Sequence, residues 1–190
     1  SIFAGMEEFL PELIAKYTPS PEETVEAFMR RTNYESLDTL DGLGWPPLFC
    51  AVCFGHINVV KEMLRLRPDM LYKRPHSGQA IMAAAVHRPI EEFKAILSWD
   101  PRSHTPKQLN HASFRGYTAL DRAAKFGCHE HVRHMLELRA AFDVRRLDNG
   151  CTPLLSAAEV GYPKCCQVLL EYRADVQVKS SFGDTPLHLA

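Results

Sequence analysis

The stretch Cys128–His134, "CHEHVRH", packs one thiol and three imidazoles into a single short run. Metal chemistry is what such a run first suggests. A zinc-protease helix needs His-Glu-x-x-His, which sets two imidazoles on one face with a carboxylate between them. His129-Glu130 would require histidine at 133, and that position is Arg133. His131 and His134 are three apart and could chelate, but Cys128 falls in a turn and no second ligand cluster stands out. A metal-dependent enzyme at Cys128–His134 is thus the weakest functional class, and the run reads as helix-start and surface histidines. A second candidate is "CAVC", Cys50–Cys53. Redox folds place a CxxC at a helix start after a strand, whereas this one lies inside a helical pattern. Cys165 and Cys166 occupy apolar helical positions, where a free thiol acts as a small hydrophobe. There is no glycine-rich phosphate loop and no nucleophile elbow. No catalytic residue, cofactor or metal site is expected, and all six cysteines should be free thiols.

Composition narrows the classes further. The 190 residues carry 22 basic and 23 acidic side chains, a net charge of −1. A general nucleic-acid binder should show a basic excess, so none is expected as a partner. No apolar run is long enough for a membrane span. Glu7, Glu8 and Glu12 interrupt the place where a signal peptide would need an apolar core. The expectation is an intracellular, cytoplasmic protein.

The elements that position these side chains repeat. "GWPPLFCAVCFGH" (44–56), "GQAIMAAAVHRP" (78–89), "GYTALDRAAKFG" (116–127), "GCTPLLSAAEVG" (150–161) and "SFGDTPLHLA" (181–190) are copies of one pattern. Pro46, Ala80, Thr118, Thr152 and Thr185 share the Thr position, at spacings of 34, 38, 34 and 33. A period of this length means a solenoid, each unit burying its face only against its neighbours. Gly44, Gly78, Gly116, Gly150 and Gly183 stand two residues before the Thr position, where a tight turn needs positive φ. Leu and small residues two, five and six positions after it share one helical face. Gly55, Gly127 and Gly161 can end that helix in a left-handed cap. A second apolar helix follows in "INVVKEML", "HVRHML" and "CCQVLL".

On these residues the sequence resembles the ankyrin repeat family. Thr185–Ala190, "TPLHLA", match its pattern residue by residue, and the stretches 55–70 and 161–176 match the rest of the unit. The resemblance covers 41–190. It implies an all-α solenoid of helix-turn-helix units with protruding β-turn fingers. Units start near 41, 75, 113, 147 and 180, the last incomplete, so the chain is expected to be a fragment of a longer array. Residues 1–40 read as an N-terminal helical cap or degenerate repeat, with 20–40 as its second half. Only His188 keeps the family's histidine; Phe49, Ala83, Asp121 and Leu155 replace it. In the second unit Pro89 stands where others have the capping Gly, so that unit must turn differently.

The resemblance also implies where a partner would bind: the fingers, and the positions one before, seven after and eight after the Thr position. Among these are Trp45, Cys53 and Phe54; His87 and Arg88; Tyr117, Lys125 and Phe126; and Cys151, Glu159 and Val160. Phe114, Arg115 and Phe182 belong to fingers. The partner-binding set is taken as Trp45, Phe54, His87, Arg88, Phe114, Arg115, Tyr117, Lys125, Phe126 and Glu159, because aromatic and arginine side chains are typical anchors. Asp100–Ser113, rich in Pro, Ser, His and Asn, reads as an extended loop beside the fingers. The expected function is non-catalytic protein–protein binding through the concave groove and fingers. The alternative is a targeting or regulatory region of a larger protein, such as a kinase, ubiquitin-ligase adaptor or channel.

Overall fold

The computed structural model describes residues 23–39, 46–67, 88–98, 109, 110, 112 and 116–190. Among them every regular element is a helix. In chain order these are α1 (Val25–Thr32), α2 (Pro47–Phe54), α3 (Ile57–Leu66), α4 (Ile90–Ser98), α5 (Ala119–Lys125), α6 (His129–Glu137), α7 (Pro153–Val160), α8 (Pro163–Glu171) and α9 (Pro186–Leu189).

The helices sort into two layers by their contacts. In one, α5, α7 and α9 pack side by side. In the other, α1 packs on α3, α3 on α4, α4 on α6 and α6 on α8. The pairs α2/α3, α5/α6 and α7/α8 join the layers. In the first layer α7 is apolar nearly all round because neighbours cover it on several sides. In α7, Pro153 to Ala158 are all buried. Second-layer helices are amphipathic, with one face in water: in α3, Val59, Val60, Met63 and Leu64 are buried, whereas Asn58 and Arg65 are exposed.

Local chemistry sets the ends. Pro47, Pro153, Pro163 and Pro186 open helices at a position where no N–H is required. The Thr118 hydroxyl accepts from the amide of Asp121, an N-cap of the usual kind. In the last unit the Thr185 amide donates to His188 Nδ1 at 3.3 Å, and the Thr185 hydroxyl lies 2.6 Å from the same atom. The helices α2, α5 and α7 close with two backbone bonds each. Gly161 N–H reaches Ala158 O and Tyr162 N–H reaches Ala157 O, with Gly161 left-handed at φ 80°. Gly55/His56 and Gly127/Cys128 repeat this closure.

The fingers precede the first-layer helices. In the fourth, Arg146 and Cys151 face each other through Arg146 N–H to Cys151 O (2.9 Å), and Gly150 N–H closes on Arg146 O. Consecutive fingers are joined by backbone atoms. Ser181 N–H donates to Asn149 O at 2.8 Å, and Arg145 Nη1 donates to both Gly150 O and Lys179 O. Gly116 combines φ 82° with a close approach: a Cβ there would lie 2.8 Å from Leu147 N. The following finger therefore leans on this glycine.

Of the loop expected at Asp100–Ser113, residues 109, 110 and 112 are described. Leu109 is fully buried in the core, and Asn110 Oδ1 accepts from the Ala141 amide at 2.7 Å. The end of the segment is thus tied into the array because it supplies an apolar plug and a side-chain acceptor. Residues 100–108, 111 and 113 lie outside the described residues, as do the groove and finger positions Trp45, His87, Phe114 and Arg115.

Candidate functional site

The site is best built from Arg146, on the fourth finger. Its side chain is almost wholly buried, and its guanidinium sits 4.9 Å from the ring centroid of Tyr117 of the preceding unit. Its Nε donates to Asn149 Oδ1 at 3.0 Å and lies 3.6 Å from Asp148 Oδ1. One terminal nitrogen lies 4.0 Å from the carboxylate of exposed Glu159, at the end of α7. The Tyr117 hydroxyl donates to Asp148 Oδ2 at 3.2 Å. Burial pushes the Tyr117 phenol upward, which keeps it a neutral donor near neutral pH. Arg122, on α5, also lies over the Tyr117 ring, at 5.6 Å. Tyr117 and Glu159, two of the expected binding residues, are thus gathered round one arginine. Lys125 and Phe126, at the end of α5, are half-buried.

Beneath this rim lies a polar contact between units. Ser156 of α7 donates to Asp121 Oδ1 of α5 at 2.6 Å, with both residues buried. Burial raises the Asp121 carboxyl above the usual range, while Ser156 and the nearby Arg146, Lys125 and Arg122 oppose that shift. Asp121 occupies the place of the family's histidine, so a carboxylate supplies an inter-unit hydrogen bond where no histidine is present.

Other expected residues have different employment. Arg88 packs its guanidinium on the Gly55 turn and pairs with Glu92 at 2.7 Å. Phe54 is half-buried against the core. Cys151 is buried rather than open to the groove, because the finger hairpin folds it under Arg146. Phe182, by contrast, projects from the fifth finger with 79% exposure, and Leu147 from the fourth with 77%.

The histidine run is corrected in one respect. His131 is not a surface residue: it is buried, its Nε2 is 2.9 Å from Arg88 O, and its ring lies 4.9 Å from that of Phe93. The cause is geometric, since its position on α6 faces α4 of the preceding unit. The cysteines are free. Burial raises the thiols of Cys53, Cys128, Cys151 and Cys166, and pushes Cys165 up to about 12. A protonated thiol is a poor nucleophile and a poor ligand.

Arg122, Arg146, Asp148 and Leu147 were not singled out by the phase of the groove positions. A faint signal exists for Arg146, because Lys179 stands at the matching place before Thr185.

Stacked helix pairs, buried by their neighbours and edged with linked fingers, define a helical solenoid. The chain carries ankyrin repeats: a family model described as ankyrin repeats (3 copies) matches residues 123–190. The B-cell lymphoma 3 protein homolog of Mus musculus is 29% identical over 154 residues, covering 81% of this chain and 34% of that protein. SH3 and multiple ankyrin repeat domains protein 2 of Homo sapiens is 30% identical over 149 residues, covering 73% of this chain and 8% of that protein. The Target of rapamycin complex 2 subunit AVO2 of Saccharomyces cerevisiae is 28% identical over 142 residues, covering 73% and 32%. The chain therefore spans about a third, or less, of the length of these relatives. No described helix is long and apolar enough to cross a membrane.

Proposed function

We propose that the chain is a non-catalytic protein-binding module that holds its partner across the rim of units three to five. The carrying observation is the meeting of Tyr117, Arg146 and Glu159 from consecutive units at one place, with Leu147 projecting beside them. Side chains from neighbouring units that share one open face can be desolvated together by a single partner, and such aromatic and arginine clusters dominate binding energy. Phe126 and Phe182 extend the face along the groove and along the fingers. Residues 1–40 serve in this reading as a degenerate unit that covers the array's start. In support, α1 packs on α3, and Phe28 is fully buried.

A second reading is favoured by the partial coverage of the relatives: the array is the targeting or regulatory region of a larger protein. The names of the relatives, such as a complex subunit, fit either reading.

Affinity capture with the intact chain tests the first. Phe126→Ala should weaken capture roughly tenfold, the loss of an anchor worth about 1.4 kcal/mol or more. Its melting temperature should stay put, since Phe126 is only half-buried. Leu120→Ala is the contrast: it is a large-to-small change at a buried site and should cost about 2–5 kcal/mol of stability. A Phe126→Ala chain that folds and captures normally would remove the groove from the proposal.

A further inference from the structure

Arg122 holds a charge that nothing nearby answers directly. It is half-buried on α5, and among the described residues it makes no ion pair or hydrogen bond beyond its contact with the Tyr117 ring. None of the acids around it bonds to it, although the charge of Asp121 favours its cation. Asp121 Oδ1 accepts from Ser156, Asp148 Oδ2 accepts from Tyr117, and Glu159 faces Arg146. Two further donors lie at the same junction. Lys125, three residues along α5, has no ion pair among the described residues. Arg146 Nη1 is buried without a partner. Partly desolvated cations are costly when unpaired, and the cost is returned when an anion arrives.

We propose that this junction receives a carboxylate from an acidic segment of the partner protein, an Asp or Glu side chain docking on Arg122. The inference rests on the groove reading above. A guanidinium offers two parallel N–H groups that match the two carboxylate oxygens. The Tyr117 ring holds that fork in place through a cation–π contact, so little freedom is lost on binding. Leu147 packs beside Gly116, next to Tyr117, and is mostly exposed. The segment that fits is therefore acidic at one position and apolar beside it.

The test uses the whole chain and a displayed library of random peptides. Peptides enriched on the wild type should carry Asp or Glu next to an apolar residue. Their synthetic versions, followed by fluorescence anisotropy, should bind R122Q roughly tenfold more weakly or worse, the loss of a charge-assisted pair. R122E should instead prefer versions with the acid replaced by Arg. Circular dichroism melts establish that both variants fold. Should one not fold, changing the peptide acid to its amide on wild-type protein reads the same interaction, with the same loss expected. Enriched peptides without acidic bias, or unaffected by R122Q and by the amide change, overturn the proposal. So does at least tenfold tighter binding of synthetic versions with phosphoserine in place of the acid, which assigns the site to phosphate. Non-acidic peptides that lose affinity with Phe126→Ala overturn the carboxylate alone and leave the groove reading standing. Peptides indifferent to both variants overturn both.

Discussion

A single hydroxyl shows how strongly this array depends on polar contacts between units. Among the described residues, Ser156 Oγ is the only hydrogen-bond donor to Asp121 Oδ1, and the second oxygen of that buried carboxylate has none. Ser156→Ala removes the donor and leaves the carboxylate buried. The expected cost is about 1–3 kcal/mol, the penalty for orphaning a buried polar group. Asp121→Ala combined with Ser156→Ala should cost less than the two single changes added together, because the orphan is gone. Chemical denaturation of the four proteins measures this coupling, and full additivity would show that the contact carries none. None of this was visible along the sequence. Asp121 could be seen to replace a histidine, but not to meet a serine one repeat later. That pairing depends on how α5 and α7 lie against each other. The same holds for Arg146, whose neighbours come from positions 117, 148 and 159.

Among the elements, the closing turns are where sequence and structure agree most closely. Positive φ at Gly116, Gly150 and Gly183 follows from the glycine preceding each Thr position, because left-handed backbone is a local demand that the residue type discloses. Three second-layer helices, α1, α6 and α8, obey a rule that glycine does not announce. Asn33, Arg139 and Arg173 are left-handed at φ 61°, 63° and 65°. The next amide in each case reaches back to close the helix: Tyr34 to Met29 O, Ala140 to Met135 O, Ala174 to Leu169 O. That α1 ends like α6 and α8 supports reading it as the second half of a unit. Glycine positions also differ in what they demand. Gly161→Ala meets only backbone strain, since nothing lies within 4 Å of the added carbon, and should cost about 1–2 kcal/mol. Gly116→Ala meets the same strain and the Leu147 backbone 2.8 Å away, so it should cost distinctly more. Urea midpoints for the two variants check the order, and equal midpoints would mean that the finger shifts freely.

Across the whole molecule, units hold together through side chains that reach backward. His131 does this from α6 to the carbonyl of Arg88. The carbonyl accepts, so Nε2 carries a proton in the neutral ring. Burial lowers the His131 pKa, and the Arg88 carbonyl and Glu130 only partly offset this. The folded chain thus binds this proton less readily than the unfolded chain, whose histidine titrates near about 6.5. The associated stability is present above that value and is lost as pH falls through it toward the lower folded value. His131→Gln keeps an N–H donor but cannot charge. The fall in stability between neutral pH and mild acid should therefore be shallower in His131→Gln than in the wild type. Denaturation at several pH values decides this, and parallel curves would show that His131 is not responsible. The period of the sequence made the array legible, together with the aromatic and charged positions on its rim. It did not distinguish a rim arginine free to receive a partner from one already used, as Arg88 is by the Gly55 turn and Glu92.

The links between the fourth and fifth fingers run through main-chain acceptors: Asn149 O and Lys179 O. Every amino acid supplies that same carbonyl. The tips at Leu147 and Phe182 can then be exchanged for other side chains without loosening the comb that carries them. Such a surface is open to re-specification, by natural variation or by grafting, at almost no expense to the scaffold underneath.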